Sequence, residues 1–155
     1  MLAFATGKRA PEPLKVRLGR AWTNRGVLAE AAAAVAAASL AIRVVPFRRL
    51  AGWMGTPTRS DPGDAGGAEG VARVRWAVNA FANRAPWRAV CFQRGLAAHF
   101  MLRRRGLPST LHYGVRHTDE AKLKAHVWVT AGPHPVVGVE DAAEFQRLAS
   151  FPPAT

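Results

Sequence analysis

Residues 91–106 read Cys-Phe-Gln-Arg-Gly-Leu-Ala-Ala-His-Phe-Met-Leu-Arg-Arg-Arg-Gly, and residues 125–129 read Ala-His-Val-Trp-Val. In the first stretch Leu96, Phe100, Met101 and Leu102 recur at helical spacing. Pro86 suits the opening turn of that helix, where its missing N–H has no partner to lose, and Gly106 with Pro108 closes it. The second stretch is short and rich in β-branched and aromatic residues, the composition of a strand. Cys91, the single cysteine of the chain, therefore sits near the front of a long helix, and His126 stands at the start of a separate strand. A thiol and an imidazole on two elements are the sequence outline of a cysteine nucleophile and its base.

Working outward, residues 1–14 carry Gly7, Pro11 and Pro13 and read as a flexible N-terminus. Residues 15–54 have a helical pattern that is Ala-rich in the middle, with Pro46 marking a break before Phe47-Arg48-Arg49-Leu50. Residues 55–70 collect turn formers, among them Pro57, Pro62, Gly63, Gly66 and Gly67, and read as a loop. Residues 71–151 form the part that carries the chemistry. Val71, Val74, Val78 and Phe81 predict a helix over 71–83. Beyond Pro108 the pattern changes to extended runs at 109–116, 125–131 and 135–139, broken by His117-Thr118-Asp119-Glu120 and Gly132-Pro133. Asp141–Leu148 reads as a short final helix. The order, helices first and then a small antiparallel sheet, is an α+β fold in which the cysteine helix packs on the sheet.

The chain has 155 residues and a hydrophobic fraction of 49%, enough for one core and one domain overall. One cysteine excludes an internal disulfide and points to a reducing, cytoplasmic setting. Lys and Arg number 22 against 10 Asp and Glu, a net charge of +12 that favours anionic partners. The cations are scattered apart from Arg103-Arg104-Arg105, and no aromatic motif is interleaved with them for base stacking, so no nucleic acid is expected. Val27–Ile42 contains only Glu30 as a charge. A spanning helix needs about 20 apolar residues, and alanine contributes little to insertion, so this run reads as a helix of a soluble protein without stable membrane insertion. His99, His112, His117 and His134 lack ligand spacing, and Gly66-Gly67 precedes no phosphate-loop lysine, so neither metal nor cofactor is expected.

Placed early in a helix, a thiol meets unpaired backbone N–H groups that favour the thiolate. His126 can take the thiol proton and return one to a leaving amine. A carboxylate that holds the far ring nitrogen would complete the set, and Asp141 or Glu140, just beyond the third strand, fits that place. Taken singly, each residue has a plainer reading: Cys91 as a small buried side chain, Asp141 as a helix N-cap, Trp87 and Trp128 as core aromatics.

Taken together, Cys91–Gly106, Leu107-Pro108, the strand 111–116, Ala125-His126-Val127-Trp128-Val129 and Pro135-Val136-Val137-Gly138 resemble the B proteins of lasso-peptide biosynthesis. These are transglutaminase-like cysteine peptidases, and the resemblance is to their stand-alone protease half, over residues 15–151. It implies a transglutaminase/papain-like core and a leader peptidase that cuts a ribosomally made precursor (leader plus core). A separate ATP-dependent macrolactam synthetase then closes the core. It implies Cys91 as nucleophile, His126 as base and Asp141 as the third residue, with Glu140 as its rival. Family members often carry an Asp about a dozen residues after the His, where this chain has Gly138 and Val139. A winged-helix partner grips the leader in this family, and residues 1–155 leave no room for it, so the partner is expected in trans. Two other functions fit parts of the pattern. One is a basic non-catalytic adaptor for an acidic peptide or nucleic acid, and the other is a same-fold acyltransferase that passes the acyl group to an amine.

Overall fold

The computed structural model describes residues 14–57, 67–84, 91–118 and 122–152, with side chains from Asn24 onward. The expected N-terminal segment up to residue 13, most of the expected loop and the expected helix start at Pro86 lie outside the described residues. Alanine is the best helix former, and the Ala-rich run belongs to α1, Leu14–Val44. Val27, Ala31, Ala34, Val35 and Ala38 recur every three or four residues and are buried, so one stripe of α1 faces α3 and α4. By length and mean hydropathy (1.8) the span Asn24–Val44 could cross a membrane, the one such span among the described residues, and 28% of it is buried inside the fold. Pro46 ends α1, because a proline disfavours helical geometry at the residue before it. The short helix α2, Phe47–Met54, follows, with Leu50 and Met54 buried one turn apart.

Helix α3 spans Gly67–Ala82, so the loop expected through residue 70 gives way to helix four residues earlier. Glu69 supports that start: it lies in the first turn, where the helix dipole favours an anion, and it pairs with Arg73 at 2.7 Å. Val71, Val74, Ala77 and Val78 are buried. Helix α4, Cys91–Arg104, closes in a Schellman turn. Gly106 takes φ +68°, its N–H donates to the Arg103 carbonyl at 3.0 Å, and the Leu107 N–H donates to the Leu102 carbonyl at 3.0 Å.

Four antiparallel strands follow in the order β3-β2-β1-β4. Strand β1 spans Thr110–His117, β2 Leu123–Ala131, β3 His134–Val137 and β4 Gln146–Phe151. Ala131 pairs with His134, so β2 and β3 are joined by the two-residue turn Gly132-Pro133, with Gly132 at φ +56°. The final helix expected over Asp141–Leu148 is corrected here. Ala142–Glu144 makes a single 3-10 turn, and the chain then pairs along β1, with Gly114 opposite Arg147 and Leu111 opposite Phe151. The helix-forming preference of Asp-Ala-Ala-Glu lasts one turn and yields to the open edge of β1, because tertiary pairing overrides weak local propensity.

Helices and sheet share one core, in which Val35, Val74, Met101, Leu102, Leu111, Val127 and Val129 are almost wholly buried. Two polar features are set into it. Glu30 of α1 receives two hydrogen bonds from the Arg105 guanidinium, at 2.9 and 2.5 Å, and these bonds hold its carboxyl below its ordinary value. His99 of α4 is fully buried with Nδ1 2.8 Å from Ser109 Oγ. Burial, reinforced by the nearby Arg103 charge, lowers its pKa to about 4.

These two groups give the fold two separate acid limbs. A histidine that is harder to protonate when folded costs stability as pH falls from its ordinary 6.5 towards about 4. That loss amounts to about 3 kcal/mol once the ring must charge. Glu30 acts lower: its contribution is complete above its ordinary 4.5 and is lost as pH falls through the depressed value. Denaturant unfolding against pH should therefore show a flatter slope between 6.5 and about 4 in His99→Gln. Glu30→Gln should change only the more acid limb and the neutral plateau, and superimposable wild-type and His99→Gln curves would refute the assignment.

Candidate active site

The constraint that builds the site is the approach of α4 to β2. A side chain at Gly95 would place its Cβ 2.7 Å from Val127 Cγ1 and 3.6 Å from Val129 Cγ2, so only glycine lets the helix lie this close to the strand. Side chains alternate along a strand, so Val127 and Val129 turn towards α4 while His126 and Trp128 take the other face. Cys91, one turn ahead of Gly95 on α4, is carried to the start of β2. There a cleft of about 500 Å³ opens, lined by Cys91, His126 and Val127 among others.

The rest of the cleft wall comes from three other elements. Asn79 and Asn83 stand one turn apart at the end of α3, Arg94 lies one turn beyond Cys91, and Val137, Gly138, Glu140 and Asp141 follow from β3. Arg94 donates to Asn83 Oδ1 at 3.2 Å, tying α4 to α3 across the cleft. Cys91 and His126 are half-buried, whereas Asn83, Glu140 and Asp141 are exposed at the rim. Among the described residues no hydrogen bond joins the Cys91 sulfur to the ring. Such contacts are commonly loose in an unliganded enzyme and tighten around substrate.

The His126 ring is held on three sides. Its Nε2 lies 2.7 Å from the Gly138 carbonyl oxygen. Trp128 stacks beside it at 6.0 Å between centroids with planes 20° apart, and Phe145 lies on it at 4.8 Å. Behind Trp128 the stack continues to His112, at 5.4 Å. The two acids considered for the ring both border the cleft: Glu140 comes within 3.9 Å of Arg75, and Asp141 stands at the head of the 3-10 turn without capping it through its side chain. The ring nitrogen itself meets the backbone of Gly138.

Sequence reasoning did not find Asn79, Asn83, Arg94 or Gly138. Arg94 had a signal, since it is three residues after Cys91 and so on the same helix face. The asparagines were equally marked by their spacing of four, Asn79 in the last turn of α3 and Asn83 just past its end. Trp128 is buried, as its reading as a core aromatic expected, but it also forms the plate against which the histidine lies. No three His, Cys, Asp or Glu among the described residues are grouped to hold a metal ion.

The pattern that defines the Transglutaminase-like superfamily matches residues 32–150 of this chain. The chain belongs to that superfamily, whose members are in general cysteine-dependent enzymes. The α+β architecture of the described residues, four α-helices and a four-stranded antiparallel sheet, agrees with the assignment. Comparison with curated proteins and with solved structures gave no match.

The stack under His126 depends on a second glycine. A Cβ at Gly114, the residue opposite His126 on β1, would fall 2.9 Å from Trp128 Cζ3 and 2.9 Å from the Gln146 carbonyl oxygen. Gly114→Val should therefore displace the indole and cost about 1–3 kcal/mol of stability. A lower denaturant midpoint with altered near-ultraviolet circular dichroism is expected; an unchanged midpoint and spectrum would show that the site tolerates the side chain.

Proposed function

We propose that this protein is a cysteine peptidase that removes the leader from a ribosomally synthesised lasso peptide precursor. The observation that carries the reading is the cleft in which the only thiol of the chain and the strand histidine share a wall. Family membership supports thiol chemistry there, and the resemblance of the Cys91 helix and the Ala-His-Val-Trp-Val strand to the lasso B proteins supplies the substrate.

In this mechanism the Cys91 thiol gives its proton to His126 and its sulfur attacks the scissile carbonyl. The imidazolium protonates the leaving amine, which departs as the new N-terminus of the core. The acyl half, the leader, stays on Cys91 as a thioester. Water, deprotonated by His126, cleaves that thioester and restores the thiol. The backbone N–H of Cys91 serves the oxyanion. Asp141, exposed in the cleft wall, is the acid we assign to stabilising the imidazolium, with Glu140 as its competitor. A winged-helix protein holds the leader in trans, the macrolactam synthetase takes the freed core, and the setting is the cytoplasm.

A second reading has support from the superfamily itself: the same thioester can pass its acyl group to an amine. The exposed rim of Asn83, Glu140 and Asp141 leaves the cleft open to water, which favours hydrolysis. Incubating the chain with precursor and leader-binding partner, and following products by mass, separates the two by whether free leader or an amide-linked adduct forms. Cys91→Ala and His126→Ala should each lower cleavage by about 1,000-fold or more while the protein stays folded. Cleavage by Cys91→Ala at the wild-type rate would end the peptidase reading. Of Asp141→Asn and Glu140→Gln, the variant with the larger loss identifies the acid.

A further inference from the structure

We infer that the backbone carbonyl of Gly138 is the group that orients His126, which makes Gly138 a positioning residue of the site. The inference rests on the reading of Cys91 and His126 as the reacting pair, and it concerns how the base is prepared for its task.

A carbonyl oxygen can only accept a hydrogen bond. At 2.7 Å from Nε2, the Gly138 oxygen requires that nitrogen to carry the proton in the neutral ring, which leaves the lone pair on Nδ1. The carbonyl therefore selects the tautomer as well as the direction of the ring, the task a carboxylate performs in a three-residue catalytic set. The flanking rings complete the restraint. Trp128 and Phe145 restrict rotation out of plane, while the Gly138 contact sets the angle within it.

The backbone at this point is built so that only glycine serves. Gly138 has φ +68°, a region that side chains make costly. A Cβ there would lie 2.6 Å from the Val127 carbonyl oxygen, 3.2 Å from His126 Nε2 and 3.3 Å from His126 Cε1. Those three atoms belong to the strand and ring that the carbonyl must address. Any side chain at 138 would thus push either the carbonyl or the imidazole out of register. Val137, the preceding residue, is paired with Val129 on β2, so the sheet itself delivers the carbonyl to the ring.

Ring nitrogen NMR tests this without needing a substrate. In full-length ¹⁵N-histidine-labelled protein, with His126 assigned by comparison with His126→Gln, the neutral ring should show a protonated Nε2 and an unprotonated Nδ1. Asp141→Asn and Glu140→Gln should leave that signature in place. Gly138→Ala should convert it to a mixture of tautomers and reduce precursor cleavage by about 100-fold, the scale of a 1 Å misplacement of a reacting group. If Gly138→Ala does not fold, the two carboxylate variants still decide the matter. A wild-type ring protonated at Nδ1, or loss of the Nε2–H signature in Asp141→Asn, would overturn the inference in favour of a carboxylate. A chain that shows the expected tautomers yet leaves the precursor intact keeps the ring orientation and loses the lasso substrate.

Discussion

The close approach of α4 to β2 at Gly95 is the contact on which the rest of the molecule depends. With no side chain at that position the helix settles onto Val127 and Val129, and this single adjacency places Cys91 near the N-terminal half of β2, which carries His126. The N-terminal helices support it from behind: α1 packs on both α3 and α4, and Glu30 locks onto Arg105 just past the α4 terminus. Closely packed interiors transmit small displacements, so a shift of α4 along β2 would move the thiol relative to the ring.

Glycine recurs wherever the site is tight, and each occurrence answers a different demand. Gly95 allows helix against strand, Gly114 makes room for the indole that backs the histidine, and Gly138 brings a carbonyl to the imidazole. The cleft is otherwise polar and edged by charges of both signs, Arg94 against Glu140 and Asp141. This local balance contrasts with the net charge of +12 for the whole chain, so most of the excess positive charge lies away from the cleft that Cys91 and His126 line. A field of that sign raises the local concentration of anionic partners.

Much of this was legible in the sequence. The breaks at Pro46 and Gly106, the buried spacing of Val71, Val74 and Val78, and the strand around His126 follow from local chemistry and periodicity, and each has its counterpart in the fold. β4 was hidden because Gln146–Phe151 has no alternating apolar pattern: its residues are exposed or half-buried, and the open edge of β1 pairs with it. Asp141-Ala-Ala-Glu before it spells a helix to any local reading. The histidine's partner was hidden for a deeper reason. A backbone carbonyl leaves no side-chain signature, so nothing in the sequence marks Gly138 as the group that meets the ring.

The proposal that Cys91 and His126 act as one unit can be tested most directly through the thiol itself. Because Cys91 is the only cysteine, its alkylation by iodoacetamide reports on that sulfur alone. Rates measured across pH in the wild type and in His126→Ala compare the thiol with and without its base. A coupled pair requires His126→Ala to react about tenfold more slowly near neutral pH. Coincident rate profiles for the two proteins would contradict the pairing.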